Sequence, residues 1–475
     1  MKEKKAELQR KLTPFNVGAL AFGCIIGWGA FVMPGDTFLP KAGPLGTAIA
    51  MLIAILLMII ISFNYGYMIR KLPVAGGEFK YTQVAFGDKH AFLCAWFMAL
   101  TYISAIPMNA TALALLSRNF SQGALQFGFH YVIADYDVYF GEILVAEIAL
   151  LFFMYSSIRG VKVAGNLQSI LVILLLGGVL VTSGAAIFEC VTGKLSISPA
   201  FSPEYAPGMG VLAVVVVAPW AFCGFDTVPQ STEEFKFSTT KAQIVMIISI
   251  ISGGLVYILL NTVTAVAVPS NYASWCEYIT DAKSSTGISA LPTFNAAYLL
   301  LGKFGVLLLI LSVGAAILSG IVGQCMSSSR LVFSMAREEV LPKWFGKISE
   351  KYGTPVHSIA FVMGVSMLAP FCGRTVLAWL VDMASVGAAI GYGYTSAAAL
   401  KFAYMEKNIM ITITGVIGSL LSLSFLVLLL IPIPAFGCSL DLESYICLLI
   451  WGILGFIFYA KNRKKQRKIY TRKSE

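Results

Sequence analysis

Two kinds of residue are scarce in this sequence: histidine and charged side chains. Only His90, His130 and His357 occur among 475 residues, and they lie far apart. There is no HExxH, no GxSxG, no GxxxxGK followed by Ser or Thr, and no CxxC. The common frameworks for a zinc hydrolase, an acyl-transfer nucleophile, a phosphate-cradling loop and a cysteine-held metal are therefore missing. Charged residues make up 12% of the chain, about half of the roughly 25% usual in soluble domains. No soluble stretch is long enough to fold alone. An enzyme is not expected, nor are catalytic residues, a metal or a resident cofactor.

Apolar length is abundant instead. Hydrophobic residues reach 58% and the mean hydropathy is +0.80. Runs long enough to cross a bilayer, about 18 residues or more, recur from end to end. Twelve spans are expected: 15–33, 45–69, 91–117, 139–157, 164–188, 208–230, 242–268, 302–331, 357–373, 376–402, 409–433 and 443–460. This describes an all-α integral membrane protein with a single domain over 15–460, between basic tails at 1–14 and 461–475. The opening MKEKKAELQRK has no cleavable apolar segment, so it reads as a cytosolic tail rather than a signal peptide.

Charge placement tests the span count. With both termini inside, Lys41, Arg118, Lys194, Lys283, Lys303 and Arg374 face outward, and the remaining 28 of the 34 Lys and Arg lie on the cytoplasmic side. That bias satisfies the positive-inside rule, whereas an odd count would export KNRKKQRK. The net charge of +10 is thus explained by topology and the anionic inner leaflet, without nucleic acid. The expected location is the cell membrane, with the lipid bilayer as partner and monomer or homodimer left open. Of nine cysteines, Cys24, Cys94, Cys223 and Cys325 fall within spans; Cys190, Cys276, Cys372 and Cys438 fall on or near the outer side, where a disulfide is left open.

The first span contains GCIIGWGAFVMPG, with Gly23, Gly27 and Gly29 ahead of Pro34. Five spans later VVVVAPWAFCGFDTVPQSTEE is interrupted by Pro219, Gly224 and Pro229. Each glycine costs a helix about 1 kcal/mol relative to alanine. Interrupted helices at matching positions of two halves point to a transporter's central site. Five spans per repeat, an odd number, place the second repeat inverted: 15–188 and 208–402, with the helices of 409–460 appended. Unwound backbone at mid-membrane is tolerated only where it is buried or lines an aqueous cavity. There, free N–H groups hold a carboxylate and freed carbonyls hold an ammonium or a cation. Close helix crossing through Gly23 and Gly27 is the plainer reading of the first cluster.

Four blocks resemble the amino acid–polyamine–organocation permeases: GCIIGWGAFVMPG, LPVAGGEFKYTQVAFG, WAFCGFDTVPQSTEE and SSSRLVFSMAREEVLP, in that family's order and spacing. The resemblance implies the inverted five-plus-five fold of the bacterial leucine transporter, with discontinuous helices 1 and 6, and movement of amino acids or related amines by alternating access. It implies that the N–H groups of Trp28 and Gly29, next to Gly27, face a substrate carboxylate, and that the Ile25 carbonyl faces its ammonium. Position 28 is usually small and polar in the family, so Trp28 departs from it. Trp220 and the downstream Asp226 resemble the stacking Trp and acidic gate of the arginine/agmatine antiporter. By that likeness the carbonyls of Trp220 and Cys223 take the ammonium, while Ser104, Ala105, Asn109 and Gln324 offer side-chain contacts.

Ionisable groups within spans are costly, and each is a functional candidate. Asp226 is expected to act as a gate or proton carrier. Glu142 and Glu147 read as structural partners of nearby polar groups, Asp382 as reaching water, and Glu233 and Glu234 as pairing with basic residues of the loops. Several proton-coupled members carry a Lys in span 5, where this chain has Leu175. Coupling by sodium, using carbonyls of span 1 and a hydroxyl such as Ser319, or by a proton, or exchange without an ion, all stay open. The substrate is expected to be an amino acid, with a lean to neutral ones from Trp28, Trp220 and the apolar lining. The alternative is a polyamine or ethanolamine-like amine.

Overall fold

The computed structural model describes residues 8–193, 195–285, 287–433 and 439–474, without the side chains of 462–474. The expectations for residues 1–7, Lys194, Cys438 and the basic side chains of the C-terminal tail lie outside the described residues.

The chain is almost wholly helical. Its helices are α1 (Pro14–Ile25), α2 (Gly29–Met33), α3 (Leu39–Lys71), α4 (Gly77–Phe86), α5 (Asp88–Phe120), α6 (Phe140–Arg159), α7 (Val161–Val191), α8 (Pro207–Val215), α9 (Ala218–Ala221), α10 (Thr227–Gln230), α11 (Thr239–Val266), α12 (Trp275–Ala282), α13 (Pro292–Arg337), α14 (Val356–Leu368), α15 (Arg374–Met405), α16 (Ile409–Leu430) and α17 (Leu442–Ser474). A short antiparallel hairpin, β1 (His130–Ile133) and β2 (Tyr136–Tyr139), fills the connection before α6. Nine helical stretches among the described residues are long and apolar enough to cross a membrane, and Pro14–Ile25 and Val356–Cys372 are shorter apolar helices. Apolar residues on the outer surfaces of these helices, such as Leu56, Ile173 and Leu420, are exposed. In water that surface would be a liability; against lipid it is not.

Local sequence explains the boundaries. Thr13 and Asn16 form a reciprocal capping box in front of Pro14, which fixes the start of α1. The connection expected at residues 34–44 is instead helical. A wide π-turn over Pro34–Phe38 joins α2 to α3, and Gly43, at φ 72°, absorbs the kink ahead of Pro44. The proline–glycine density that reads as a loop is here a bent helix. Likewise α13 begins ten residues before the expected 302, with Gly302 at φ 61° bending it. Cys190, Cys276 and Cys372 are free thiols, so no disulfide joins them.

Helix α1 lies against α7, α11 and α13. A side chain at Gly23 would run into the Ser319 hydroxyl and the Gln168 amide, so this glycine serves close packing, as in the plainer reading of the cluster. Asn16 fastens the same crossing, donating to the Gly165 carbonyl at 3.0 Å and to Ser169 Oγ at 2.9 Å.

Candidate functional site

Two helices are interrupted, and the interruptions touch. Residues 26–28 leave helical hydrogen bonding between α1 and α2. The stretch 207–230 comes as three short pieces, α8, α9 and α10, with a turn over Phe222–Asp226. Gly224 sits at φ 146°, and a Cβ there would lie 2.7 Å from the Cys24 carbonyl carbon and the Ile25 nitrogen. Only glycine lets the two backbones meet at this distance and this torsion. A single phenol joins them: Tyr257 Oη of α11 lies 3.2 Å from the carbonyl oxygens of both Ile25 and Ala221, donating to them.

These breaks border a cavity of about 580 Å³. Ile25, Gly27, Trp28, Gly29, Asn109, Trp220, Cys223 and Gln324 all line it, together with Ala105 and Tyr257. Trp220 lies across the first break, where a Cβ at Gly29 would meet Cη2 of its ring at 2.6 Å. The indole of Trp28 is accommodated by stacking on Phe294, 6.5 Å between ring centres. Gln324 is buried and its Oε1 has no protein partner, leaving an acceptor at the cavity wall. Asn109 donates from its amide to the Ala105 carbonyl at 2.9 Å and turns Oδ1 towards Gly27.

Three of the expected residues lie off the lining. Ser104 is buried with an unpartnered hydroxyl, and its neighbour Ala105 faces the cavity instead. Ser319 is fully buried and receives a hydrogen bond from Gln168 Nε2 at 2.9 Å; the same nitrogen donates to the Ala19 carbonyl at 3.0 Å. Asp226 has no exposed surface: Oδ1 accepts from the Gly224 N–H at 2.7 Å and Oδ2 from the Tyr102 hydroxyl at 2.8 Å. Its carboxylate caps the broken turn from beneath.

At one end the cavity reaches Lys41, Arg374, Asp382 and Ser439. Arg374 is held in place by donating to the Met108 carbonyl at 2.9 Å and to Thr111 Oγ1 at 3.0 Å. Sequence reasoning finds no basic residue deep in the pocket; the structure puts two at its mouth. Past α10, outside the cavity lining, stands a cluster of ion pairs. Arg330 and Glu234, 1% and 0% exposed, form a two-bonded pair at 2.8 and 3.1 Å, and Arg337 pairs with Glu233 at 2.8 Å. Glu233 and Glu234 meet basic groups of α13 rather than of the loops as expected, because that helix runs on to Arg337. The extended segment before α1 closes over them: the N–H groups of Lys11 and Leu12 donate to the Glu234 carbonyl, and Lys236 N–H donates back to the Leu12 carbonyl. Elsewhere, Glu142 takes a two-bonded pair from Arg118 at 2.5 and 2.6 Å, the structural role expected of it; Glu147 Oε1 is buried without a protein partner.

Tyr257, Tyr102, Gln168 and Arg374 are the contributors that sequence reasoning passes over. The first three are polar groups inside otherwise apolar helices, and that position is itself a signal.

The family model for amino acid permeases matches residues 12–460. The chain belongs to this family of membrane permeases, one of the amino acid–polyamine–organocation group. Among curated proteins it is 23% identical over 480 residues to the branched-chain amino acid permease BcaP of Bacillus subtilis, covering 97% of this chain and 95% of that one. It is 25% identical over 394 residues to the methylthioribose transporter of the same organism, covering 81% and 80%. The vacuolar cationic amino acid transporter 4 of Arabidopsis thaliana is 25% identical over 422 residues, 85% of this chain and 64% of that one. These relatives are transporters, and the protein is a permease, not an enzyme.

Proposed function

We propose that the protein is a secondary active transporter that moves amino acids, neutral ones above all, across the cell membrane by alternating access. The observation that carries this reading is the meeting of two severed helices whose unwound residues line one cavity. Ala30 and Phe31 donate to the Gly27 and Trp28 carbonyls, which leaves the N–H groups of Trp28 and Gly29, ahead of them, to receive a carboxylate. Carbonyls around Trp220 and Cys223, with the free oxygen of Gln324, supply acceptors for an ammonium. Lys41 and Arg374 at the mouth favour a carboxylate-bearing substrate over a bare polyamine or ethanolamine, the alternative that keeps the same fold.

The chain then comprises twelve spans, an inverted pair over 15–188 and 208–402, and two appended helices, with both termini in the cytosol. In that orientation the cavity is outward-open, and the pairs Arg330–Glu234 and Arg337–Glu233 form the inner seal that must part for release. Sodium at Ser319 finds little support, because an amide donor of Gln168 points at the hydroxyl where a cation would need acceptors only.

A thermal-shift screen of the purified protein against the twenty amino acids, polyamines and ethanolamine, with and without sodium, tests the reading. Stabilisation by neutral zwitterions, followed by their uptake into liposomes, is the expected outcome. Stabilisation by free amines alone would replace it with the amine reading, and no uptake or exchange of any amino acid would defeat it.

A further inference from the structure

Below the capped turn of Asp226 lies a second buried carboxylate, Glu78, at the start of α4 between two membrane spans. It has no exposed surface. Oε2 accepts from Gln230 Nε2 at 2.5 Å, while Oε1 is buried beside the Tyr65 phenol with no bond of good geometry. Around it stand other unpartnered polar atoms: the hydroxyls of Tyr65 and Tyr81, Oγ1 of Thr82 and Oε1 of Gln230. The titratable groups facing it are Asp226, Tyr65 on α3, Tyr81 on α4 itself, Cys94 and Tyr102 on α5, Cys223, and Tyr392 on α15. None of these is a cation. The basic residues of the surrounding seam are committed elsewhere: Lys80 to Glu338 at 2.7 Å, Arg330 to Glu234 and Arg337 to Glu233.

Two carboxylates in one dry pocket with no cation cannot both carry charge cheaply. Asp226 has a donor on each oxygen and is the better host for the negative charge. Glu78 has one well-formed donor, Gln230, and the Tyr65 phenol beside it, whose oxygen can accept from a carboxylic acid. We propose that Glu78 is the proton-carrying group of the transport cycle, neutral while the cavity faces outward and releasing its proton to cytoplasmic water when the seam of α4, α10 and α13 opens. The O–H bond at Oε1 breaks and its proton passes to cytoplasmic water; once the carrier faces outward again the carboxylate takes its next proton from water on the outer side, so that one proton crosses per cycle. Burial first, and the Asp226 charge second, push the Glu78 carboxyl up to about 8, consistent with a neutral acid in the closed state.

The sign of the pH dependence follows. Because the folded state holds this proton more tightly than the unfolded chain, its stabilising effect is complete below the ordinary glutamate range and is lost as pH rises towards about 8. Thermal unfolding of the wild type should therefore shift to lower temperature across that window, and Glu78→Gln should flatten the shift.

This role rests on the transporter reading, so the test pairs a transport assay with a spectroscopic one. Full-length protein in liposomes is given a mixture of the twenty radiolabelled amino acids. An inward gradient of one pH unit supports about tenfold accumulation per coupled proton. The ratio of gradient-driven accumulation to gradient-free exchange should fall to near one in Glu78→Gln and recover in part in Glu78→Asp. Infrared difference spectra at neutral pH should show a protonated-carboxyl band in the wild type that Glu78→Gln removes. An unchanged ratio, or a band indifferent to Glu78→Gln, overturns the proposal. If the band is lost in the variant but the wild type moves no amino acid, the transport reading fails, and the coupling role falls with it to a purely structural proton.

Discussion

The two helix breaks lie in backbone contact yet are built differently. The first, over residues 26–28, is opened by glycines that sit beside polar or aromatic side chains: Gly27 under Asn109 and Gly29 under Trp220. The second, over 222–226, is fixed from several sides, by the torsion of Gly224, by the Asp226 carboxylate and by the Tyr102 hydroxyl behind it. One break presents loosely held peptide groups to the cavity, and the other anchors it to the core. A carrier that must bind and release benefits from this division, since only one side of the site has to adapt.

The sharpest way to break the comparison is Gly224→Ala. A side chain at φ 146° is strained by about 1–3 kcal/mol, and its Cβ would press on backbone atoms of Cys24 and Ile25, which cannot swing aside. Overpacking of that kind adds about 1–3 kcal/mol more. We expect transport to be lost and the detergent-solubilised protein to unfold at clearly lower temperature, read by differential scanning fluorimetry. Next comes Asp226→Ala, which strips the buried Gly224 N–H of its acceptor and leaves the Tyr102 O–H only the Asp226 backbone carbonyl at 3.2 Å. The stranded N–H costs about 1–3 kcal/mol. Asp226→Asn keeps an acceptor oxygen and should recover part of the loss in the same measurement, which separates capping from charge.

Much of this contrast is legible in the sequence and some is not. Gly23, Gly27 and Gly29 ahead of Pro34, matched by Pro219, Gly224 and Pro229, disclose that both helices fail, because nothing but function or packing justifies such residues in a span. The same residue types mislead at 34–44, where a π-turn and the positive φ of Gly43 let the helix carry its prolines. Asp226 stands out as a charge in the membrane, but its capping of Gly224 depends on a turn that spacing alone does not specify. Glu78 does not stand out, because its block reads as a connection between spans, where an acid is ordinary. Only tertiary packing removes its water. Arg374, placed by charge counting on the outer rim, enters the cavity because α15 starts there and leans on α5.

A smaller effect probes the joint between the breaks. Tyr257→Phe removes the phenol bridge linking the Ile25 and Ala221 carbonyls while preserving the ring, which packs edge-on against Phe38 at 5.9 Å. A neutral hydrogen bond of this kind contributes about 1 kcal/mol. Stability should drop by that order, while the freed Ile25 carbonyl becomes available to the ligand. A tighter apparent affinity for zwitterions, measured by the thermal-shift dose response, would show that the phenol competes with the substrate ammonium. An unchanged affinity would show that Ile25 is a structural carbonyl only.

The smallest expected change in stability, and the most informative, is Gly29→Ala. It is the same chemical substitution as Gly224→Ala, made at the other break, but the surroundings differ. Gly29 opens α2 with a helical torsion, so alanine gains up to about 1 kcal/mol of helix propensity over glycine. The new Cβ meets the far edge of the Trp220 ring at 2.6 and 2.9 Å, atoms that a side-chain rotation can withdraw. The two effects offset, and the melting temperature should stay near that of the wild type. Trp220, however, must tilt into the cavity it borders. Substrate affinity should therefore weaken by about tenfold, as for a contact of about 1.4 kcal/mol, with bulky neutral amino acids losing more than small ones. If Gly29→Ala instead unfolds the protein as Gly224→Ala does, the first break is as rigid as the second and the division of labour between them is wrong.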